Sequence, residues 1–228
     1  MPQNIKNMLS LYFIAGTQDF RHAEGDRSQA LLDCLEQALA NGITCFQLRE
    51  KEAHSLADAA AIEALARACL ALCRRHRVPF FIDDNVDLAL KIGADGIHVG
   101  QEDMPVEEVI RLCGGKLMIG LSTNTVEQAQ QGSRYTAIDY FGVGPMFPTQ
   151  SKAKPNPLAG AKRLQEIRRA GIDKPLVAIG GIKPHNVHEI YATGAADGIA
   201  VISVIAQSQD VAQTIRELKT GKPEAASR

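Results

Sequence analysis

The chain has 228 residues, 45% of them apolar and 22% charged, with a formal net charge of −1. That composition supports a large core and excludes wholesale disorder, and the balanced charge excludes a global basic field for non-specific nucleic-acid binding. No apolar run approaches the roughly 18 residues that a membrane helix needs, so a cytoplasmic protein is expected.

The N-terminal stretch MPQNIKNMLSLYFIAG has the outline of a signal peptide without a clear small-residue cleavage site, and it reads better as the approach to a first strand. From there short apolar runs alternate with helical patterns. Strands are predicted at 11–15, 43–48, 79–82, 96–99, 117–121, 140–143, 176–179 and 198–201. They are near-continuous apolar runs, as parallel strands buried on both faces require. Between the first two, Leu31, Leu32, Leu35, Ala38 and Leu39 share a helical face; between the next two, Ala57, Ala61, Ala64, Leu65, Ala68 and Leu72 do. Asn41-Gly42, Gly93, Gly132, Gly171 and Gly194 are expected to end helices. The five cysteines form no Cys-x-x-Cys pair, and reduced, mostly buried thiols are expected.

Eight strand–helix units at about 28 residues each favour a single-domain α/β fold, either a closed (β/α)8 TIM barrel or an open doubly wound sheet. No Gly-x-Gly-x-x-Gly follows the first strand, which weakens the dinucleotide-binding sheet. The barrel is expected over 1–220, with 221–228 as a loose tail. Both folds place their sites at the carboxyl ends of strands, and polar residues gather there in order.

After strand 2, Gln47, Arg49 and Lys51 alternate onto one face. Two cations at a barrel mouth suit a pyrophosphate clamp; the alternative is a solvated strand end paired with Glu50 and Glu52. After strands 3 and 4 come Asp83-Asp84 and Asp103. Asp84 and Asp103 on neighbouring strands suit a Mg²⁺ that shares substrate phosphate oxygens, against helix capping as the alternative. His98 is either a hydrogen-bonded structural histidine or a general base. Ser122 after strand 5 is either a donor to substrate or a turn residue. After strand 6, Thr149, Ser151 and Lys152 belong to a patternless loop able to close over a phosphate. After strands 7 and 8, Gly180-Gly181 and Ile202-Ser203 stand where barrels commonly bind phosphate through backbone N–H groups. His185 and His188 read as exposed rather than as a metal pair.

Taken in order, the segments YFIAGT (12–17), FQLREK (46–51), DDNVDLAL (83–90), ADGIHVGQED (94–103), GLS (120–122), GVGPMFPTQSK (142–152), AIGGI (178–182) and GAADGIAVIS (194–203) resemble the thiamine phosphate synthase family over nearly the whole chain. The resemblance implies a (β/α)8 barrel that joins hydroxymethylpyrimidine pyrophosphate to a thiazole phosphate and releases pyrophosphate. It implies that Gln47, Arg49, Lys51, Asp83, Ser122 and Lys152 hold the pyrimidine substrate. By the same resemblance Thr149, Ser151, Gly181, Ile202 and Ser203 hold the thiazole phosphate, and Asp84 and Asp103 bind one Mg²⁺. Arg49, Lys51, Lys152 and Ser122 would assist the chemistry. The implied partners are small phosphorylated molecules, with neither nucleic acid nor membrane, and a homodimer is possible.

Three positions depart from the family pattern. Asp83 stands where asparagine is usual, Ser151 where a second threonine is, and Asn124 where a histidine is common. No activated nucleophile stands out, and the many charge stabilisers suit departure of pyrophosphate. Two other functions compete: a thiazole tautomerase-type paralogue, which needs a base and no metal, and a non-catalytic phosphate-binding regulatory barrel.

Overall fold

The computed structural model describes residues 2–149 and 157–220, the first three of them by backbone alone. Eight parallel strands, β1 (Leu11–Ala15), β2 (Cys45–Leu48), β3 (Phe80–Asp83), β4 (Gly96–Val99), β5 (Met118–Ser122), β6 (Tyr140–Val143), β7 (Leu176–Ile179) and β8 (Gly198–Val201), pair in sequence order and close, β8 against β1. The result is a (β/α)8 barrel; the open-sheet alternative is excluded. Residues 221–228, expected as a loose tail, lie outside the described residues.

Helices alternate with the strands: α2 (Arg27–Ala40), α3 (Ala59–His76), α4 (Val86–Ile92), α5 (Val106–Cys113), α6 (Val126–Ser133), α7 (Lys162–Arg169), α8 (Val187–Ala192), α9 (Ser203–Ala206) and α10 (Val211–Thr220). Local chemistry starts several of them. Asp26 and Asp58 accept the backbone N–H of Ser28 and Ala61, and Thr125 with Gln128 forms a reciprocal cap. The expected face of α2 is the buried one, with Cys34 added and Leu32 half-buried. For α3 the buried face is rotated from the expected one: Leu65, Ala66, Cys69, Leu70 and Cys73 pack inward, while Ala64 is exposed and Ala57 precedes the helix. Alanine counts weakly in choosing a face, and the thiols behave as small apolar groups. All five cysteines are free and buried. Gly93 ends α4 in the left-handed conformation, but Gly132 lies buried inside α6, where its missing side chain admits the Phe141 ring.

Three strands are offset from expectation. β2 begins at Cys45 because Thr44 is diverted to the barrel floor: its hydroxyl accepts from Leu11 N and donates to Met8 O. β3 and β5 each extend one residue further, to Asp83 and Ser122. The chain also opens with a helix that the sequence reading did not anticipate, α1 (Pro2–Met8). It closes the floor, with Met8 and Leu9 buried and the Leu9 carbonyl against Gly198, where any Cβ would lie 1.7 Å from that oxygen.

Two apolar layers follow from the strand alternation. The larger lies between strands and helices. The smaller fills the barrel with Tyr12, Ile14, Cys45, Phe81, Tyr140, Val177, Ala200 and Ile202. Glycines make room inside: Gly96 faces the Phe81 ring, and Gly120 faces Tyr140 and His98. The rings fill the lower barrel, so the open space lies at the carboxyl ends of the strands.

Candidate active site at the barrel mouth

Strand 2 supplies the inner wall. Gln47 is 1% exposed and its amide donates to the Tyr12 hydroxyl at 2.8 Å. Arg49, two residues on, is 7% exposed, so it is not a solvated strand end. Its guanidinium meets Glu52 at 2.6 Å and Asp83 at 3.3 Å. Asp83, one of the three residues that depart from the family pattern, is therefore a counter-ion of Arg49. Glu50 takes no part in that pairing; its carboxylate accepts from Thr17 and from Leu56 N, holding the rim loops.

Asp84 follows β3 in the left-handed backbone region, φ 59°. This conformation is uncommon for a non-glycine residue and costs of order 1 kcal/mol, the kind of strain that collects at functional sites. The tight turn brings Asp84 beside Asp103, which follows β4 and accepts from Gly100 N at 2.8 Å. Neither acid caps a helix: Asn85 caps α4 and Pro105 stands at the cap of α5. Lys51 spans both acids, 2.6 Å from Asp103 and in contact with Asp84. Burial, and then the neighbouring Asp83 charge, push the Asp84 carboxyl up to about 7. For Asp103 burial acts in the same upward sense, but the hydrogen bond from Lys51 outweighs it and holds the carboxyl low. Burial opposes the Lys51 charge, yet the bonds to Asp103 and Asp84 push its ammonium well above the ordinary lysine range.

Whether these residues fit a metal can be judged from the Asp84 side chain. Its Oδ1 is buried with no hydrogen-bond partner among the described residues, and a cation, the Lys51 ammonium, already sits between the two acids. Two carboxylates with no third protein ligand suit Mg²⁺, which keeps waters and takes substrate phosphate oxygens. Among the described residues no group of three or more His, Cys, Asp or Glu gathers as a closed metal cage.

Ser122 ends β5 with its hydroxyl 3.0 Å from His98 Nε2. It caps no helix, since Thr125 caps α6. His98 is thus hydrogen-bonded on both ring nitrogens, the other facing the Tyr140 hydroxyl at 3.0 Å. Gln47, Arg49, Lys51, Asp83, Asp103 and Ser122 all line one well at the barrel axis.

A wider cleft adjoins it, lined by Thr149, Gly181, Ile202 and Ser203 and by Asn124 on the Ser122 side. The Gly180-Gly181 pair has a structural duty besides any phosphate contact. Gly181 has φ 68°, and a Cβ there would lie 2.6 Å from Pro148 O. The loop after β6 is pinned against it through Met146 N to Ile179 O and Phe147 N to Gly180 O. Ser151 and Lys152 lie outside the described residues. His185 and His188 are exposed, as expected.

Sequence reasoning missed Tyr12 and Tyr140 as parts of the site, and it named Glu52, which does pair with Arg49, only for the alternative of a solvated strand end. Tyr12 opens the YFIAGT segment and Tyr140 opens β6, so the only available signal was a phenol at an inward strand position. Asp19, in the 3-10 turn Thr17–Phe20, also lines the cleft and was not singled out.

A closed barrel with paired acids, a buried arginine, a bridging lysine and a late-strand glycine cradle at one rim defines a (β/α)8 enzyme for phosphorylated small molecules. The sequence profile of one family, described as thiamine monophosphate synthase, matches residues 11–205. The thiamine-phosphate synthase of Pasteurella multocida (strain Pm70) is 53% identical over 210 residues, covering 92% of this chain and 95% of that protein. That of Histophilus somni (strain 129Pt) is 51% identical over 215 residues, 94% of this chain and 97% of its own. A solved structure, thiamine phosphate pyrophosphorylase from Pyrococcus furiosus, superposes with a TM-score of 0.80 at 33% identity, over 95% of this chain and 96% of that one. The chain belongs to the thiamine monophosphate synthase family and is a transferase of thiamine biosynthesis. Among the described residues no helix is long and apolar enough to cross a membrane.

Proposed function

We propose that the mouth joins a hydroxymethylpyrimidine pyrophosphate to a thiazole phosphate, giving thiamine phosphate and pyrophosphate. The observation that carries this reading is the convergence of Arg49, Lys51, Asp84 and Asp103 on one rim beside a second, glycine-walled cleft. Two anionic substrates call for two anion sites, and the well and the cleft meet at Ser122 and Gly142.

Gln47 and Ser122 hold the pyrimidine ring, Arg49, Lys51 and Lys152 hold its pyrophosphate, and Asp83 keeps Arg49 aligned by the ion pair at 3.3 Å. Asp84 and Asp103 would hold one Mg²⁺, which when bound supplies charge neutralisation on the departing pyrophosphate. Arg49 and Lys51 stabilise the charge that grows on that leaving group as its bond to the pyrimidine methylene lengthens. The electron-rich aminopyrimidine carries the resulting cation. Thr149, Ser151, Gly181, Ile202 and Ser203 present the thiazole, whose nitrogen attacks. That nitrogen has no proton to lose, so no strong base is required. His98, bonded on both nitrogens, fits a structural part in this scheme.

The acid pair and the basic wall favour this reading over an isomerase, which needs a base and no metal, and over a regulator that binds without turnover. The test is pyrophosphate release from the two substrates, with and without Mg²⁺. Release that depends on both substrates and on the metal is expected. Binding without release, or equal rates in a chelator, would overturn the proposal.

A further inference from the structure

Below the well, five polar side chains form one continuous chain of hydrogen bonds through an otherwise apolar barrel. Gln47 Nε2 donates to the Tyr12 hydroxyl at 2.8 Å, and the Tyr12 and Tyr140 hydroxyls are 3.1 Å apart. The Tyr140 hydroxyl is 3.0 Å from His98 Nδ1, and His98 Nε2 is 3.0 Å from Ser122 Oγ. Gln47, Tyr12 and Tyr140 are each 0–1% exposed, so this part of the chain is shielded from bulk water. Burial also pushes both phenols well above the ordinary tyrosine range, and each keeps its single proton.

Donor counting gives the chain a direction. An amide nitrogen only donates, and a phenol has one proton to give. Tyr12, having accepted from Gln47, has the Tyr140 oxygen and the Cys45 sulfur within reach of its one proton, and the oxygen, 3.1 Å away, is the stronger acceptor. Among the described residues Tyr140 then has His98 Nδ1 left to donate to. In a neutral imidazole an accepting Nδ1 puts the ring proton on Nε2, facing Ser122.

We propose that His98 is a positioning residue, locked by Tyr140 as the Nε2–H tautomer, which makes Ser122 accept from the imidazole and directs the Ser122 hydroxyl proton into the mouth. A substrate at Ser122 then meets a hydrogen-bond donor and is selected for an acceptor, such as an unprotonated ring nitrogen. The direction is set at Gln47, on the far wall of the same well, so two residues proposed to hold one ring are coupled through the barrel interior. This rests on the synthase reading for the identity of the ring, but not for the tautomer.

The test is ¹⁵N NMR of the substrate-free full chain with labelled histidine. The chain has six histidines, and the His98 signals are assigned by their loss in His98→Gln. A pyridine-type Nδ1 with a pyrrole-type Nε2 is expected. Tyr140→Phe removes the lock and should bring the two signals towards averaged values, whereas Ser122→Ala should leave the tautomer in place. Tyr140→Phe should also raise the KM for the pyrimidine substrate by about tenfold with little change in kcat, the size of one hydrogen bond. A pyrrole-type Nδ1, two protonated nitrogens, or a Tyr140→Phe spectrum identical to wild type would overturn the proposal. So would an unchanged KM in a folded Tyr140→Phe. Absence of pyrophosphate release would instead remove the synthase reading and leave the tautomer result standing.

Discussion

Lys51 Nζ lies 2.6 Å from Asp103 Oδ1 while also touching Asp84, so one ammonium bridges two acids carried by neighbouring strands. On the proposed reading Asp84 and Asp103 would hold the Mg²⁺, so Lys51 and the metal would compete for the same two carboxylates. Lys51→Met should tighten metal binding to the substrate-free protein by roughly threefold to tenfold, the scale of a half-exposed ion pair. Turnover should fall in the same variant. Titration with Mn²⁺ followed by electron paramagnetic resonance measures the affinity, and weaker or unchanged binding would contradict the competition.

The leaving-group argument ranks three variants. Arg49→Ala, which removes a group that meets developing charge, and Asp84→Ala, which removes a proposed ligand of the metal that would neutralise it, should each lower kcat by about 10² or more. Ser203→Ala, which removes one hydroxyl from the second cleft, should cost about tenfold or less. Steady-state rates at saturating substrates decide, and comparable losses in all three would count against the scheme.

Gly144 carries a packing prediction. A Cβ there would lie 2.1 Å from the Ile179 carbonyl, a backbone atom between β6 and β7 that cannot move aside. Gly144→Ala should cost about 1–3 kcal/mol, as overpacking does, and lower Tm by roughly 3–10 °C. Calorimetry checks this; a Tm within a degree of wild type would show that the strand ends yield freely.

Asp19 gives a pH dependence. Burial raises its carboxyl from 3.8 to about 6, partly offset by the hydrogen bond from Gly16 N. The folded chain holds this proton more tightly than the unfolded one. The associated stability is present below about pH 3.8 and is lost as pH rises through about 6. Asp19→Asn should therefore gain on wild type between pH 4 and pH 7.5, by up to ~3 kcal/mol in the limit of the full shift. Urea unfolding at both pH values measures it. A difference independent of pH would show that Asp19 titrates normally.

Much of the barrel was legible because its signals are local. Continuous apolar runs mark strands covered on both faces, and β1, β4, β6, β7 and β8 fall at the predicted residues. The α3 face was misjudged because alanines mark no side strongly, and α1 was missed because a short polar helix has little periodicity to show. The acid and base positions were legible through strand alternation and the family motifs. Tyr12 and Tyr140 were not, since a phenol inside an apolar run looks the same whether it packs or relays a hydrogen bond.

Residue order alone determined the number of strand–helix units, their parallel pairing and the gathering of charged residues after each strand, because these follow from period and spacing. Tertiary structure decided the rest. Lys51 reaches Asp84 and Asp103 because β2, β3 and β4 pair side by side, and only when β8 meets β1 do Gln47 and Ser122 become ends of one hydrogen-bonded chain across the interior. Those contacts join residues up to 128 positions apart, and no local pattern specifies which side chains meet across a barrel's interior.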